Sequence, residues 1–280
     1  MSPNEPPVAS GRAPDIYLLG SGIMSIWHLT REAEACMRAS SQVFMVDPGF
    51  GVAEYIAGLG PSVHNLISEY KDRQNRLDTY RTMAARVVAA ALEEPPVSLV
   101  VYGHPTFLVY PSTLVRKAAR LLDLRVHTAA GISSLDTMLI DLDLEPGMNG
   151  LQIYDANAVL VEHRKLDPEV PCLLLQVDAV ESAFHVEAAS RPSRFRRLTE
   201  HLLKFYPGDH VVTSIRSSSF PIFEPEMTHF QLQELGNEFA DKRLGGTVYL
   251  PSSRHSEFDE DLAREIYDPL HVNRITYSQE

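Results

Sequence analysis

The chain has 280 residues, of which 44% are hydrophobic, and its formal net charge is −12. This length accommodates one large domain or two small ones. No segment approaches the roughly 18 consecutive apolar residues of a membrane-spanning helix, and the acidic balance argues against nucleic acid, whose phosphates are bound by clustered lysines and arginines. Cys36 and Cys172 lack the spacing of a disulfide framework or a metal site, so we expect buried thiols in a cytoplasmic protein.

The N-terminal half alternates short apolar runs with segments of helical period. Residues 1–14 are rich in proline and have no such period, which predicts disorder. The predicted strands are 16–19, 43–46, 97–101 and 126–128, and the predicted helices are 30–39, 76–92 and a helix capped by Ser112 that runs to about Leu122. This alternation is typical of a mostly parallel sheet with helices on both faces.

The pattern changes near Glu145, where strands begin to dominate. We predict strands over 158–161, 171–177, 210–215 and 247–250, and the best helix over 194–205. The expected organisation is therefore an N-terminal α/β domain (15–145), a C-terminal α+β domain (146–255), and a C-terminal helix and tail (256–280).

Three glycine-bearing loops follow predicted strands. The first, Gly20-Ser21-Gly22, partly resembles the dinucleotide fingerprint. However, Ser25 stands where that fingerprint needs a third glycine. Asp47, the candidate for its acidic residue, lies farther along the chain than the fingerprint requires. NAD binding and an ordinary tight turn both remain open from this loop alone.

The other two loops follow the third and fourth predicted strands of the N-terminal half. One contains Gly103 and the other contains Gly131 followed by two serines. Because ligands bind at the carboxyl ends of strands in open α/β sheets, the three loops predict one crevice. The alternative is a set of ordinary turns, with Ser133 serving only as a helix cap.

Together these segments resemble a known family. The series LLGSGI, VYGHPTFLVYPS and AAGISSLD looks like the tetrapyrrole (corrin/porphyrin) methylase superfamily, and most of all like its borosin-type peptide backbone α-N-methyltransferases. The likeness runs from about residue 16 to 251; NRLDTYRTM followed by VYGHP is its most specific part, and LLLQVDAV and RLGGTVYLP extend it. It implies two α/β domains with S-adenosyl-L-methionine in the cleft between them, and a homodimer.

The resemblance also implies the residues that bind the cofactor. They are Gly20, Gly22, His104, Phe107, Val109, Ser133, Ser134, Gln176 and Thr247. Gln176 lies in a predicted apolar strand, where a buried amide needs hydrogen-bond partners. Adenosine would provide them, and a bond to a neighbouring strand is the alternative.

N-methylation of a peptide amide requires the loss of a proton from a very weak acid. Arg76 and Tyr80 are separated by one helical turn and therefore share a helix face. A guanidinium stabilises a nearby phenolate, so Tyr80 is a candidate base, and Arg76 can stabilise negative charge on the amide oxygen. The alternative is a core tyrosine beside a surface arginine. The resemblance adds Tyr70 and Tyr102 to the active site.

One segment departs from the family pattern. Residues 66–70 supply a single aromatic, Tyr70, with Ile67 and Glu69 beside it, where related peptide methylases carry two or more aromatics. This departure predicts altered substrate binding or catalysis. A non-catalytic peptide-binding protein of the same fold is therefore an open alternative.

Partners and metals complete the expectations. His163, His185, His201 and His210 lack metal-ligand spacing, so no metal is expected. Some borosins carry their substrate as a C-terminal extension, but here a predicted helix ending at residue 266 is followed by no apolar core-peptide run. We therefore expect a separate, ribosomally made precursor peptide as substrate. A corrin or porphyrin methylase is the alternative, and the net charge disfavours its polycarboxylate substrate.

Overall fold

The computed structural model describes residues 13–46, 49, 51–240, 246–254 and 257–276. Most of the N-terminal segment predicted to be disordered, and Asp47, lie outside this range. The N-terminal sheet contains β1 Ile16–Gly20, β2 Gln42–Met45, β3 Ser62–Asn65, β4 Val97–Val101 and β5 Val126–Thr128. Its order is β3-β2-β4-β1-β5, and every pair is parallel, as predicted.

Helices cover both faces of this sheet because its central strands are apolar on both sides. Ile16 and Leu18 face one cluster while Tyr17 and Leu19 face the other. The helices of this half are α1 Arg31–Ala39, α2 Val52–Gly58, α3 Arg76–Glu93, α4 Tyr110–Leu121 and α5 Ser134–Asp141. Helices α3 and α4 pack on the Ile16 side, and α1 and α2 pack on the Tyr17 side.

The C-terminal sheet is mixed. It contains β6 Gln152–Asp155, β7 Cys172–Leu175, β8 Val211–Arg216, β9 Glu226–Gln231 and β10 Thr247–Leu250, in the order β6-β7-β10-β8-β9. Only β6 and β7 are parallel among its pairs in the described residues. The predicted boundary near residue 145 falls between the two sheets, and the assignment of each half as a domain stays a prediction.

Alternation along β7 divides the core of this half. Cys172 and Leu174 face one cluster, and Leu173 and Leu175 face another. The remaining helices are α6 Pro146–Asn149, α7 Ala156–Val161, α8 Arg196–Leu202, α9 Leu235–Ala240, α10 Glu260–Ile266 and α11 Val272–Ile275. Helices α7, α8 and α9 cover the Cys172 side, whereas the Leu173 side packs against α5 of the N-terminal half.

One predicted strand and one predicted helix cap are wrong. Residues 158–161 lie in helix α7 rather than a strand, because Asp155 caps a helix by accepting a hydrogen bond from the Ala158 N–H. Ser112 lies inside the first turn of α4, which begins at Tyr110, and Val109 occupies the cap position without a side-chain bond. Proline at residue 111 suits the first turn of a helix and accounts for the earlier start.

Both cysteines are buried and free, as predicted. Burial raises the pKa of each thiol to about 12. Among the described residues, no helix combines the length and hydrophobicity needed to cross a membrane.

Candidate active site

The three glycine loops converge, as their positions after β1, β4 and β5 predict. A Cβ atom on Gly20 would lie 2.1 Å from the Gly103 carbonyl oxygen, and a Cβ on Gly131 would lie 3.1 Å from that same oxygen. Gly22 and Gly103 also exchange backbone hydrogen bonds of 3.3 and 3.0 Å. The glycines are therefore required for close packing of the three loops.

This packing changes the interpretation of the first loop. Gly20 and Gly22 are buried, and a Cβ on Gly22 would lie 2.2 Å from the His28 Cβ. Their observed role is to let the loops meet. Contact between these two glycines and a cofactor stays a prediction.

A short bridge between the two halves holds the start of α3. The Arg73 N–H donates to the His185 carbonyl at 2.7 Å, and the His185 N–H donates to the Gln74 carbonyl at 2.9 Å. The Arg76 N–H donates to the Ala183 carbonyl, also at 2.9 Å. This inter-half bridge (residues 73–76 with 183–185) orients the first turn of α3, which carries Arg76.

Aromatic side chains gather beside that turn. The rings of Tyr70 and Tyr80 meet edge to face with centroids 6.3 Å apart, and Tyr110 lies 6.3 Å from Tyr80. His185 lies 5.4 Å from Tyr70 on the other side. The structure therefore brings together Tyr70 and Tyr80, as predicted, and adds Tyr110 and His185.

The electrostatics of Tyr70 suit a neutral phenol. Burial raises its pKa above the ordinary tyrosine value, and the charge of Tyr80 and hydrogen bonding with Tyr80 raise it further, while the positive charge of Arg76 opposes these effects. Among the described residues, no carboxylate lies within ion-pair distance of the half-buried Arg76 guanidinium. Its charge is therefore available to an acceptor outside the chain.

A cavity of about 310 Å³ opens beside Tyr80. It is lined by Tyr80, Thr106, Leu108, Val109, Tyr110, Thr113 and Gln176. Gln176 comes from the C-terminal half, so the cavity lies between the two halves. Five of these seven side chains carry a hydrogen-bonding group, so the cavity offers polar contacts to a small molecule.

Gln176 is not in a strand, contrary to prediction. It follows the end of β7 with φ 56°, in the left-handed region, and its side chain is exposed rather than buried. The turn frees the amide from the sheet, so it faces the cavity. Thr247 lies close by, because the Val177 N–H donates to the carbonyl of neighbouring Gly246 at 2.8 Å.

The other predicted residues lie around this region with different roles. Tyr102 interacts with Ser219 and Arg216 at the end of β8, and burial raises its pKa while these two contacts lower it. The Ser133 hydroxyl caps α5 by accepting from the Leu135 and Asp136 N–H groups at 3.0 and 3.4 Å. Ser134 is the first residue of that helix. Ser133 therefore caps α5, and its contact with the cofactor stays a prediction.

His104 and Phe107 lie on the loop between β4 and α4. The His104 Nδ1 accepts a hydrogen bond from the Thr106 N–H at 3.2 Å, which shapes the loop beside the cavity. Phe107 packs against the Leu173 side of the C-terminal sheet. Binding of the cofactor by these two residues stays a prediction.

Sequence reasoning missed several residues of the cavity. Tyr110 and Leu108 stand in the same VYGHPTFLVYPS segment that carries the family resemblance, so their position was a usable signal. His185 gave no signal, because only the fold brings it to Tyr70. Within the described ranges, no three His, Cys, Asp or Glu residues are grouped so as to hold a metal ion.

Comparison with known proteins identifies the family. The sequence model of the family of tetrapyrrole (corrin/porphyrin) methylases matches residues 15–216 of the chain. The chain belongs to this family. It is accordingly a methyltransferase.

Curated relatives of this methylase are borosin-type proteins. It is 31% identical over 269 residues to a methyltransferase/type I borosin cyclic peptide precursor of Coprinopsis marcescibilis, covering 94% of this chain and 68% of that protein. It is 28% identical over 253 residues to the methyltransferase/dendrothelin A precursor of Dendrothele bispora, covering 89% of this chain. The chain spans only 60% of the latter protein's length.

Solved structures support the fold. A uroporphyrin-III C-methyltransferase of Thermus thermophilus matches with a TM-score of 0.58 at 16% identity, covering 85% of this chain and 91% of that chain. A Thermus structure of such an enzyme complexed with S-adenosylhomocysteine matches at a TM-score of 0.55, with 84% and 91% covered. The predicted tetrapyrrole-methylase-like α/β fold is confirmed.

Proposed function

We propose that this methylase N-methylates backbone amides of a ribosomally made peptide. The observation that carries the proposal is the grouping of Tyr70, Tyr80 and Arg76, which forms no ion pair with any described carboxylate, beside a cavity between the two halves. An amide reacts when a base removes its proton and when the negative charge on its oxygen is stabilised. Two phenols and a guanidinium can supply these functions. The borosin-type relatives support the peptide as acceptor.

Each side chain has a distinct role in the proposal. Bound S-adenosyl-L-methionine supplies an activated methyl group. Tyr70, kept neutral by burial, donates a hydrogen bond to the carbonyl oxygen of the acceptor amide. Arg76 stabilises the negative charge that develops on that oxygen.

Tyr80 removes the proton in this mechanism. As the N–C bond forms and the methyl–sulfur bond breaks, the amide N–H proton passes to the deprotonated oxygen of Tyr80, which acts as the general base. The proton then leaves to solvent.

Replacement of Tyr80 tests these roles. We expect Tyr80→Phe to reduce methylation of a precursor peptide about a hundredfold or more, since a general base contributes roughly 10²–10⁴. Cofactor affinity, measured by calorimetry with S-adenosylhomocysteine, should change little. Tyr17→Phe, on the opposite face of the N-terminal sheet, is the matched control. Full activity of Tyr80→Phe would refute its role as base.

Mass spectrometry tests which molecule and which atoms accept the methyl group. We expect the wild-type protein to add methyl groups to the peptide, and fragmentation to place them on backbone nitrogens. Methylation of a corrin or porphyrin instead, or cofactor binding without turnover on either substrate, would overturn the proposed function.

We further propose that the peptide is a separate polypeptide. Leu108 and Tyr110 on the cavity wall are 48% and 42% exposed, so the cavity can be reached from solvent. Methylation of a peptide added in trans tests this arrangement. If transfer requires the peptide to be fused to the chain, the proposal fails.

We also propose a homodimer. Helices α10 and α11 bury no residue, and their apolar side chains Leu262, Ile266 and Val272 are more than half exposed. A second copy would cover such surfaces. Light scattering of the purified protein should give twice the mass of the chain, and a monomeric mass would contradict the proposal.

A further inference from the structure

The segment that departs from the family pattern is held in place by an ion pair. Glu69 ends a single 3-10 turn, Ile67–Glu69, immediately before Tyr70. A Glu69 carboxylate oxygen accepts a hydrogen bond from Arg86 of α3 at 2.7 Å. The two side chains are 22% and 38% exposed, so the pair is partly shielded from solvent.

The same turn is fixed at two further points. The Thr79 hydroxyl donates to the Glu69 carbonyl at 3.4 Å. Thr79 and Arg86 lie two helical turns apart and therefore on the same face of α3. At the other end of the turn, fully buried Leu66 donates its N–H to the Met45 carbonyl at 2.6 Å.

Arg86 is itself held from a second side. Its guanidinium lies 5.8 Å from the centroid of the Phe44 ring, which stacks on His64 at 4.8 Å. An arginine fixed in this way provides a rigid partner for Glu69, because less side-chain freedom remains to be lost. Tyr70 thus follows a turn that is joined to α3 by this ion pair and by the Thr79 hydrogen bond.

We propose that Glu69 is a positioning residue for methyl transfer, holding Tyr70 against Tyr80 through its ion pair with Arg86. This inference rests on the proposed function, in which Tyr70 and Tyr80 act on one amide. Glu69 thus supports the reaction geometry through its contact with Arg86.

Three variants test the role of the pair. Glu69→Gln removes the charge but keeps the size of the side chain. The double variant Glu69→Arg with Arg86→Glu restores the pair in reverse. Asp78→Asn is the matched control, because Asp78 pairs with Arg81 at 3.1 Å on the exposed side of the same helix.

We expect Glu69→Gln to lower kcat about ten- to a hundredfold, the scale of a misplacement of roughly 1 Å. The KM for the cofactor should stay within about twofold, because the pair acts through Tyr70. The double variant should recover part of the rate, and Asp78→Asn should match the wild type. A wild-type rate for Glu69→Gln, or a loss seen equally in Asp78→Asn, would overturn the proposal.

A second measurement is independent of the acceptor. Nitration of Tyr70 by tetranitromethane, followed by peptide mass spectrometry, should be several-fold faster in Glu69→Gln and unchanged in Asp78→Asn. Circular dichroism checks that both remain folded at the temperature of the assay. Unchanged nitration refutes the positioning role even if no peptide is methylated, whereas faster nitration without peptide methylation by the wild type contradicts the proposed function alone.

Discussion

Gly20 shows how a single residue controls the meeting of three loops. Its φ lies outside the left-handed region, so its backbone conformation is open to other residues. The restriction comes from the Gly103 carbonyl oxygen, which leaves no room for a side chain. The requirement for glycine is therefore steric and local.

We predict that Gly20→Ala lowers the free energy of unfolding by about 1–3 kcal/mol, the usual cost of overpacking. It should also weaken binding of S-adenosylhomocysteine, because the loops beside the cavity must separate. Urea denaturation and calorimetry measure the two effects.

Gly58→Ala is the matched control for that variant. A Cβ on Gly58 would meet nothing within 4 Å, and the residue lies at the end of α2. We expect an unchanged or slightly increased free energy of unfolding. Equal behaviour of the two variants would contradict the steric explanation for Gly20.

Individual site residues were predictable where their role depends on local sequence. Arg76 and Tyr80 share a helix, so their spacing alone places them together. The sequence allowed Ser133 to bind the cofactor or to cap a helix. The structure shows that its hydroxyl caps α5. His185 could not be predicted, since its contact with Tyr70 spans the two halves of the chain.

At the level of elements, the inter-half bridge holds the segment from which α3 begins, and the Asn75 side chain caps that helix by accepting a hydrogen bond from the Leu77 N–H. The hydrogen bonds of the bridge join main-chain atoms of residues 73–76 and 183–185, both outside regular strands. Segments of this kind usually exchange their amide hydrogens quickly, because loops open easily.

We predict slow hydrogen exchange at the amides of Arg73, Arg76 and His185. His185→Pro removes the N–H that bonds to Gln74, so exchange should accelerate on both sides of the bridge together. His185→Ala keeps that N–H and should leave the protection intact. Mass spectrometry of peptides covering both segments measures this, and fast exchange in the wild type would disprove the bridge.

Prediction of strands succeeded in the centre of each sheet and at the edge strand β5, and failed at the other three edge strands. All six central strands, β1, β2, β4, β7, β8 and β10, were predicted from their apolar runs. The missed strands β3, β6 and β9 are all edge strands. An edge strand is only partly covered, as in β9 where Phe230 alone is buried, and so carries little hydrophobic pattern.

The error at residues 158–161 has a different cause. A short apolar run cannot by itself distinguish a buried strand from a buried helix. Asp155, just before the run, favours a helix because its side chain caps the first turn. Attention to that aspartate would have corrected the prediction.

The two halves of the molecule are joined by an apolar contact as well as by the bridge. Met138 of α5 is 2% exposed and packs in a cluster with Leu173, Leu175 and Ile215 of the C-terminal sheet. This contact fixes the position of α5, and with it the third glycine loop, relative to Gln176.

We predict that Met138→Ala lowers the free energy of unfolding by about 2–5 kcal/mol, as for other large-to-small core changes. Ile140→Ala, in the same helix at a position that is 80% exposed, should change it by less than about 0.5 kcal/mol. Urea denaturation followed by circular dichroism gives both values. A Met138→Ala effect as small as that of Ile140→Ala would show that the apolar contact contributes little.

The main-chain character of the inter-half bridge has an evolutionary consequence. Since N–H and carbonyl groups are common to nearly all residues, the side chains at 183–185 can diverge while the connection to α3 persists. A chimera that joined this N-terminal half to the corresponding half of a distant relative would inherit the connection without any matched pair of side chains. Covariation between positions would therefore not reveal one of the contacts that orients Arg76.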